Sequence, residues 1–84
     1  MNPHFASLVL GLAQQAEAAL QGELPPGAEQ MGIRPDPRQV AQTLIDTVAM
    51  LEDKTRGRLD PDEQQLITNA LTALRFRFLQ GSGH

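Results

Sequence analysis

Met50–Leu66, MLEDKTRGRLDPDEQQL, contains a helix stop followed almost at once by a helix start. Gly57 has no Cβ and closes a helix in the left-handed conformation at little cost. Lys54 and Arg56 stand in the turn before it, where positive charge meets the negative end of the helix dipole. Asp60 then offers a carboxylate to the free N–H groups of a new helix. Pro61 suits the first helical position, where its missing N–H costs nothing. Glu63 completes a capping box by reaching back to Asp60. Only Arg58 and Leu59 separate stop from start, so the flanking helices are expected to fold back as an antiparallel αα-hairpin.

The other two helix starts follow the same logic. Asn2-Pro3 and Asp36-Pro37 each place a polar cap before a proline, and Gln39 stands where a capping-box partner of Asp36 belongs. Apolar residues recur at steps of three and four after each start. In the first segment they are Phe5, Leu8, Val9, Leu12, Ala13, Ala16 and Leu20, with Gly22 as the stop. In the second they are Val40, Leu44, Val48 and Leu51, widened by Ala41 and Ile45. In the third they are Leu66, Ala70, Leu74 and Phe78, with Ile67 and Leu71 beside them. The expected fold is all-α, with three helices: Pro3 to Leu20, Pro37 to Arg56 and Pro61 to Leu79. The caps are alike but the stripes do not align, so no internal repeat is read.

Residues 1–80 are read as one helical domain. Gly22 to Pro35, GELPPGAEQMGIRP, reads as a Pro/Gly-rich linker anchored by Leu24, Met31 and Ile33, in preference to a binding loop. Gly81 to His84 has the look of an expression-tag remnant.

At 84 residues with no cysteine, the chain has a small core and no disulfide to reinforce it. His4 and His84 lie at opposite ends without ligand spacing, so neither metal nor any other cofactor is expected. Oligomerisation is the remaining common reinforcement. The first helix points the same way: Ala6, Leu10, Ala18 and Ala19 lie off its stripe, leaving more apolar surface than a single hairpin covers. The first helix is expected to pack across the hairpin of its own subunit or of a neighbour.

A formal net charge of −3 argues against a dedicated nucleic-acid binder. No apolar run has the length of a membrane span, and MNPHF carries no positive charge of the kind that opens a signal peptide. A cytoplasmic protein is expected. A calcium loop starting at Asp53 fails, because its twelfth position is Gln64 in place of a bidentate Glu. With no cysteine, no histidine beside a nucleophile and no phosphate-binding glycine loop, no enzyme is read.

Two groups of residues remain as candidates. Phe5, Leu8, Leu10, Leu12 and Phe76 form a candidate interaction surface, its partner a second copy of the chain or another protein. Replacing Leu10 or Phe76 by Asp is expected to dissociate the assembly with helicity retained. Lys54, Arg56 and Arg58 form a candidate anion-contact turn, although Asp60, Asp62 and Glu63 are close enough to neutralise it. Two other readings are carried alongside. A peripheral membrane role for the first helix is disfavoured because its polar face has no Lys or Arg. Weak RNA or nucleotide binding through residues 54–58 requires salt-sensitive affinity.

FASLVLGLAQQAEAALQGELPP, AQTLIDTVAMLEDKTRGRLDPDEQQLI and ALRFRFL together resemble the bacterial family known as domain of unknown function 1844. The most specific part is the pattern of Met50, Leu51, Lys54, Thr55, Gly57, Leu59 and Glu63. Arg58 stands where such sequences often carry asparagine. The resemblance implies a bacterial, cytoplasmic helical domain and transfers no activity or site residue.

Overall fold

The computed structural model describes residues 1–23 and 36–81 of the chain. They hold three helices, α1 (Pro3–Leu20), α2 (Pro37–Thr55) and α3 (Pro61–Gly81). Most of the expected linker and the last three residues of GSGH lie outside the described residues.

Helix ends follow from local chemistry. Asn2 is extended (φ −73°, ψ 121°), and its Oδ1 accepts the His4 N–H at 2.8 Å and the Phe5 N–H at 3.4 Å. At the other end of α1, Gly22 has φ +93°. The Glu23 N–H reaches the Ala18 carbonyl at 2.9 Å and the Gly22 N–H reaches that of Ala19 at 3.0 Å. This is the Schellman pairing, which satisfies carbonyls left over by the last turn. Asp36 caps α2 by accepting the Arg38 N–H at 3.0 Å. The expected reciprocal bond from Gln39 does not form: that side chain is exposed to water, and one bond does the capping.

The α2–α3 connection differs in detail from its expected form. Arg56 is extended (φ −59°, ψ 129°), Gly57 has φ +84°, and the Arg58 N–H bonds the Thr55 carbonyl at 2.9 Å. Those values describe a type II turn with glycine at its third position. Gly57 is therefore required by the turn that follows the helix, rather than by a left-handed cap on the helix itself. Asp60 and Glu63 then form the expected box. The Glu63 N–H donates to Asp60 Oδ1 at 2.8 Å, and the Asp60 N–H donates to Glu63 Oε1 at 3.0 Å.

All three helix pairs touch, and α1 packs against both α2 and α3 of its own chain. Val9 and Ala16 of α1, Ile45 and Val48 of α2, and Ile67, Leu71 and Leu74 of α3 form one buried cluster. Phe5, Leu12, Leu44, Leu51, Leu66 and Phe78 pack around it. The buried faces are turned slightly from the expected stripes. On α1, Ala19 is buried while Leu8 is 48% exposed, and on α2 the deepest line is Ala41, Ile45 and Val48. Burying the small side chains of Ala16, Ala19 and Ala41 lets the helices approach closely.

Polar contacts join the helices at their ends. Thr68 of α3 donates its hydroxyl to Glu52 Oε2 of α2 at 3.2 Å. Arg38, at the start of α2, donates to the Phe78 carbonyl at 3.0 Å, with its guanidinium 3.9 Å from the centroid of the Phe78 ring. Arg77 of α3 lies 3.5 Å from Glu17 of α1.

Candidate interaction surface and the interhelical turn

The five apolar candidates separate into two groups. Phe5 and Leu12 turn inward and pack against the core cluster. Leu8 and Leu10 are each 48% exposed, and Phe76 is 60% exposed. Residues two apart on a helix point in widely different directions, so Leu8 and Leu10 emerge on opposite flanks of buried Val9 and do not share one patch. Leu79, which the sequence pattern placed at the closing end of the third helix, is at 68% the most exposed of the large apolar side chains among the described residues. It follows Phe76 by three residues, so these two do share a face.

Charge is unevenly distributed along the chain. No charged residue occurs from Phe5 to Ala16 in α1 or from Gln64 to Leu74 in α3. The charges gather at the helix ends, the connecting turn and the polar face of α2. Between α2 and α3 lies a groove of about 390 Å³ lined by Gln42, Ile45, Asp46, Arg75, Phe78 and Leu79. Asp46 is held there by a 2.8 Å bond from the Gln42 amide.

At the turn, Lys54, Arg56 and Arg58 are all exposed. Exposed Arg56 lies 3.7 Å from half-buried Glu52, an i,i+4 pair of small energetic weight. Thr55 is turned away from solvent chemistry, its hydroxyl bonded to the Leu51 carbonyl at 2.6 Å. The three bases stand among Glu52, Asp53, Asp60, Asp62 and Glu63, so the turn as a whole is acidic. That net negative charge does not favour a phosphate.

Glu63 has a second role that is not apparent from its own helix. It is only 8% exposed, and while Oε1 closes the box with Asp60, its Oε2 accepts the Asn2 N–H at 2.8 Å. A capping box on α1 would need Glu or Gln at its third helical position, but Phe5 stands there. One carboxylate from α3 therefore satisfies the backbone at the starts of two helices. The clue in the sequence was the missing partner at Phe5, but nothing local pointed to Glu63 as its replacement. Beside it, the Met1 amino group lies 3.1 Å from Asp60 Oδ2. The Glu63 N–H bond and then this ammonium hold the Asp60 carboxyl below its ordinary pKa, and Asp60 in turn raises that of the amine. Among the described residues no buried side-chain nitrogen or oxygen lacks a hydrogen-bond partner.

Among the described residues, no three His, Cys, Asp or Glu side chains gather where they could hold a metal ion, and no helix is long and apolar enough to cross a membrane. Searches of curated proteins and of solved structures return no match to the chain. The family model described as "Domain of unknown function (DUF1844)" matches residues 2–80. That match spans all three helices and the turn between the last two, and the chain belongs to this family.

Proposed function

We propose that this protein is a non-enzymatic interaction module that works as a homodimer or higher oligomer. The observation that carries the reading is the exposure of Leu8, Leu10, Phe76 and Leu79 on helices with long uncharged stretches. Contact surfaces are depleted of charge at their centres and enriched in aromatic anchors, and Phe76 fits that description. An arrangement of α2 and α3 as an antiparallel hairpin belongs to the same reading. Its support is the pairing of Glu52 with Thr68 at one end and of Arg38 with Phe78 at the other. The protein is read as cytoplasmic and bacterial, as the resemblance in its sequence implies. RNA or nucleotide binding through Lys54, Arg56 and Arg58 is disfavoured by the carboxylates around them, and a membrane-surface role for α1 by its lack of basic residues.

The test uses Leu10→Asp and Phe76→Asp, both at exposed positions where the helix tolerates a charge. At least one is expected to lower the mass in solution while circular dichroism remains helical. Parental mass in both variants would overturn the assignment of self-association to these surfaces.

A further inference from the structure

We propose that α3 is the dimer seam, meeting α3 of a second copy antiparallel about a two-fold axis between Thr68 and Asn69. This rests on the self-association proposed above and specifies its geometry. Asp62, Gln65, Asn69, Thr72, Phe76 and Leu79 follow one another at alternating steps of three and four, the spacing of a helix–helix seam, and all six are exposed. α2 also turns a line of this spacing outward, Gln39, Thr43, Asp46, Met50 and Asp53, but its charged members are all acidic and would repel those of a second copy. The Gln65 and Asn69 amides and the Thr72 hydroxyl have no hydrogen-bond partner within the described chain. Each can both donate and accept, so the face can pair with itself, as a face of a single charge sign cannot.

Charge complementarity selects the orientation. The exposed line begins with Asp62 in the acidic first turn of α3 and is flanked near its other end by exposed Arg75, with nothing charged between Gln64 and Leu74. Parallel copies would set acid against acid and base against base. Antiparallel copies set each acidic end against a basic one, twice per dimer, and oppose the two helix dipoles. Neither Asp62 nor Arg75 has an ion-pair partner among the described residues, so both are available. Matching Asp62 to the second copy's Arg75 fixes the register. The axis then falls midway, Gln65 faces Thr72, and Phe76 meets the exposed Pro61 ring of the other copy.

The chain has no cysteine, so introduced thiols report this geometry directly. Asn69 lies within a turn of its counterpart across the axis. Asp62 lies about 20 Å from its own counterpart at the ~1.5 Å rise of a helix. A disulfide needs Cα atoms within about 7 Å. Under mild oxidation, Asn69→Cys is expected to form a covalent dimer and Asp62→Cys alone is not. The double variant Asp62→Cys/Arg75→Cys is expected to link. Solution mass is measured on each reduced variant. Cross-linking of Asp62→Cys alone, or no link at Asn69→Cys in a chain of dimeric mass, would overturn this seam and leave self-association standing. A monomeric mass for every reduced variant and for the unaltered chain would overturn both.

Discussion

Replacing Glu63 by Ala removes two hydrogen bonds at once from a nearly buried carboxylate, those from the N–H groups of Asp60 and Asn2. Bonds to a charged acceptor contribute about 1.5–3 kcal/mol each when fully desolvated. Both donors stand at helix starts near the surface, where water recovers part of the loss, so about 1–1.5 kcal/mol per bond is the reasonable share. The expected cost is about 2–3 kcal/mol. In a domain of this size each kcal/mol moves the midpoint by about 4–8 °C, so thermal unfolding is expected to fall by roughly 15 °C. Glu63→Gln keeps one acceptor oxygen but presents an NH₂ to the other N–H, and is expected to recover about half of the loss. Asp62→Ala is the control: the same turn and charge, with the side chain in water and no bond to the backbone. Measured at concentrations where the chain is a single copy, its cost is expected to be about 0.5 kcal/mol, from the helix dipole. The assay is urea unfolding followed by circular dichroism, with m-values compared to confirm an unchanged transition. If Glu63→Ala falls within about 0.5 kcal/mol of Asp62→Ala, the shared cap does not hold α1 to α3 and the reasoning fails.

Three further outcomes are expected. Gly57→Ala forces a Cβ onto φ +84° and should destabilise by about 1–2 kcal/mol, whereas Gly11→Ala, inside α1 with nothing within 4 Å of the new methyl group, should stabilise by about 0.5–1 kcal/mol in the same urea assay. Arg38→Ala removes the bond to the Phe78 carbonyl and the contact with its ring, and should cost about 1–2 kcal/mol; a cost below about 0.5 kcal/mol would show that this tie is inert. The lowered pKa of Asp60 means that its contribution is present above its unfolded value near ~4 and is lost as pH falls through the lower folded value. The raised pKa of the Met1 amine has the opposite sign: its contribution is present below about 8 and fades as pH rises through the folded value. Asp60→Asn should flatten both limbs of a plot of unfolding temperature against pH, and an unchanged plot would remove the pair from the account.

The helix boundaries were legible because their signals are local. A polar residue before proline stands at all three starts, and Gly22 and Gly57 stand at the first two stops; these signals act within a few residues, and the helices begin where they stand. Less visible was the rotation of each helix about its axis. Periodicity grouped Leu8 with Val9 and set Ala19 apart, yet Ala19 is buried and Leu8 is half exposed. Exposure of the candidate surface was legible only in part for the same reason: Phe76 lies off the apolar stripe of Leu66, Ala70, Leu74 and Phe78, while Phe5 and Leu12 face the core. The second bond of Glu63 joins residues far apart in the chain, and no local pattern encodes it. The outward line on α3 was hidden because four of its six residues are polar, and a reading built on apolar periodicity passes over them.

Self-association is the central claim, and absolute mass in solution tests it most directly. Light scattering on a size-exclusion column, run over a wide range of loading concentrations, should show the unaltered chain at twice or a higher multiple of the 9.2 kDa of one copy. Phe76→Asp should shift that equilibrium toward the single copy by at least about tenfold in concentration. A mass of one copy at every concentration would contradict the account.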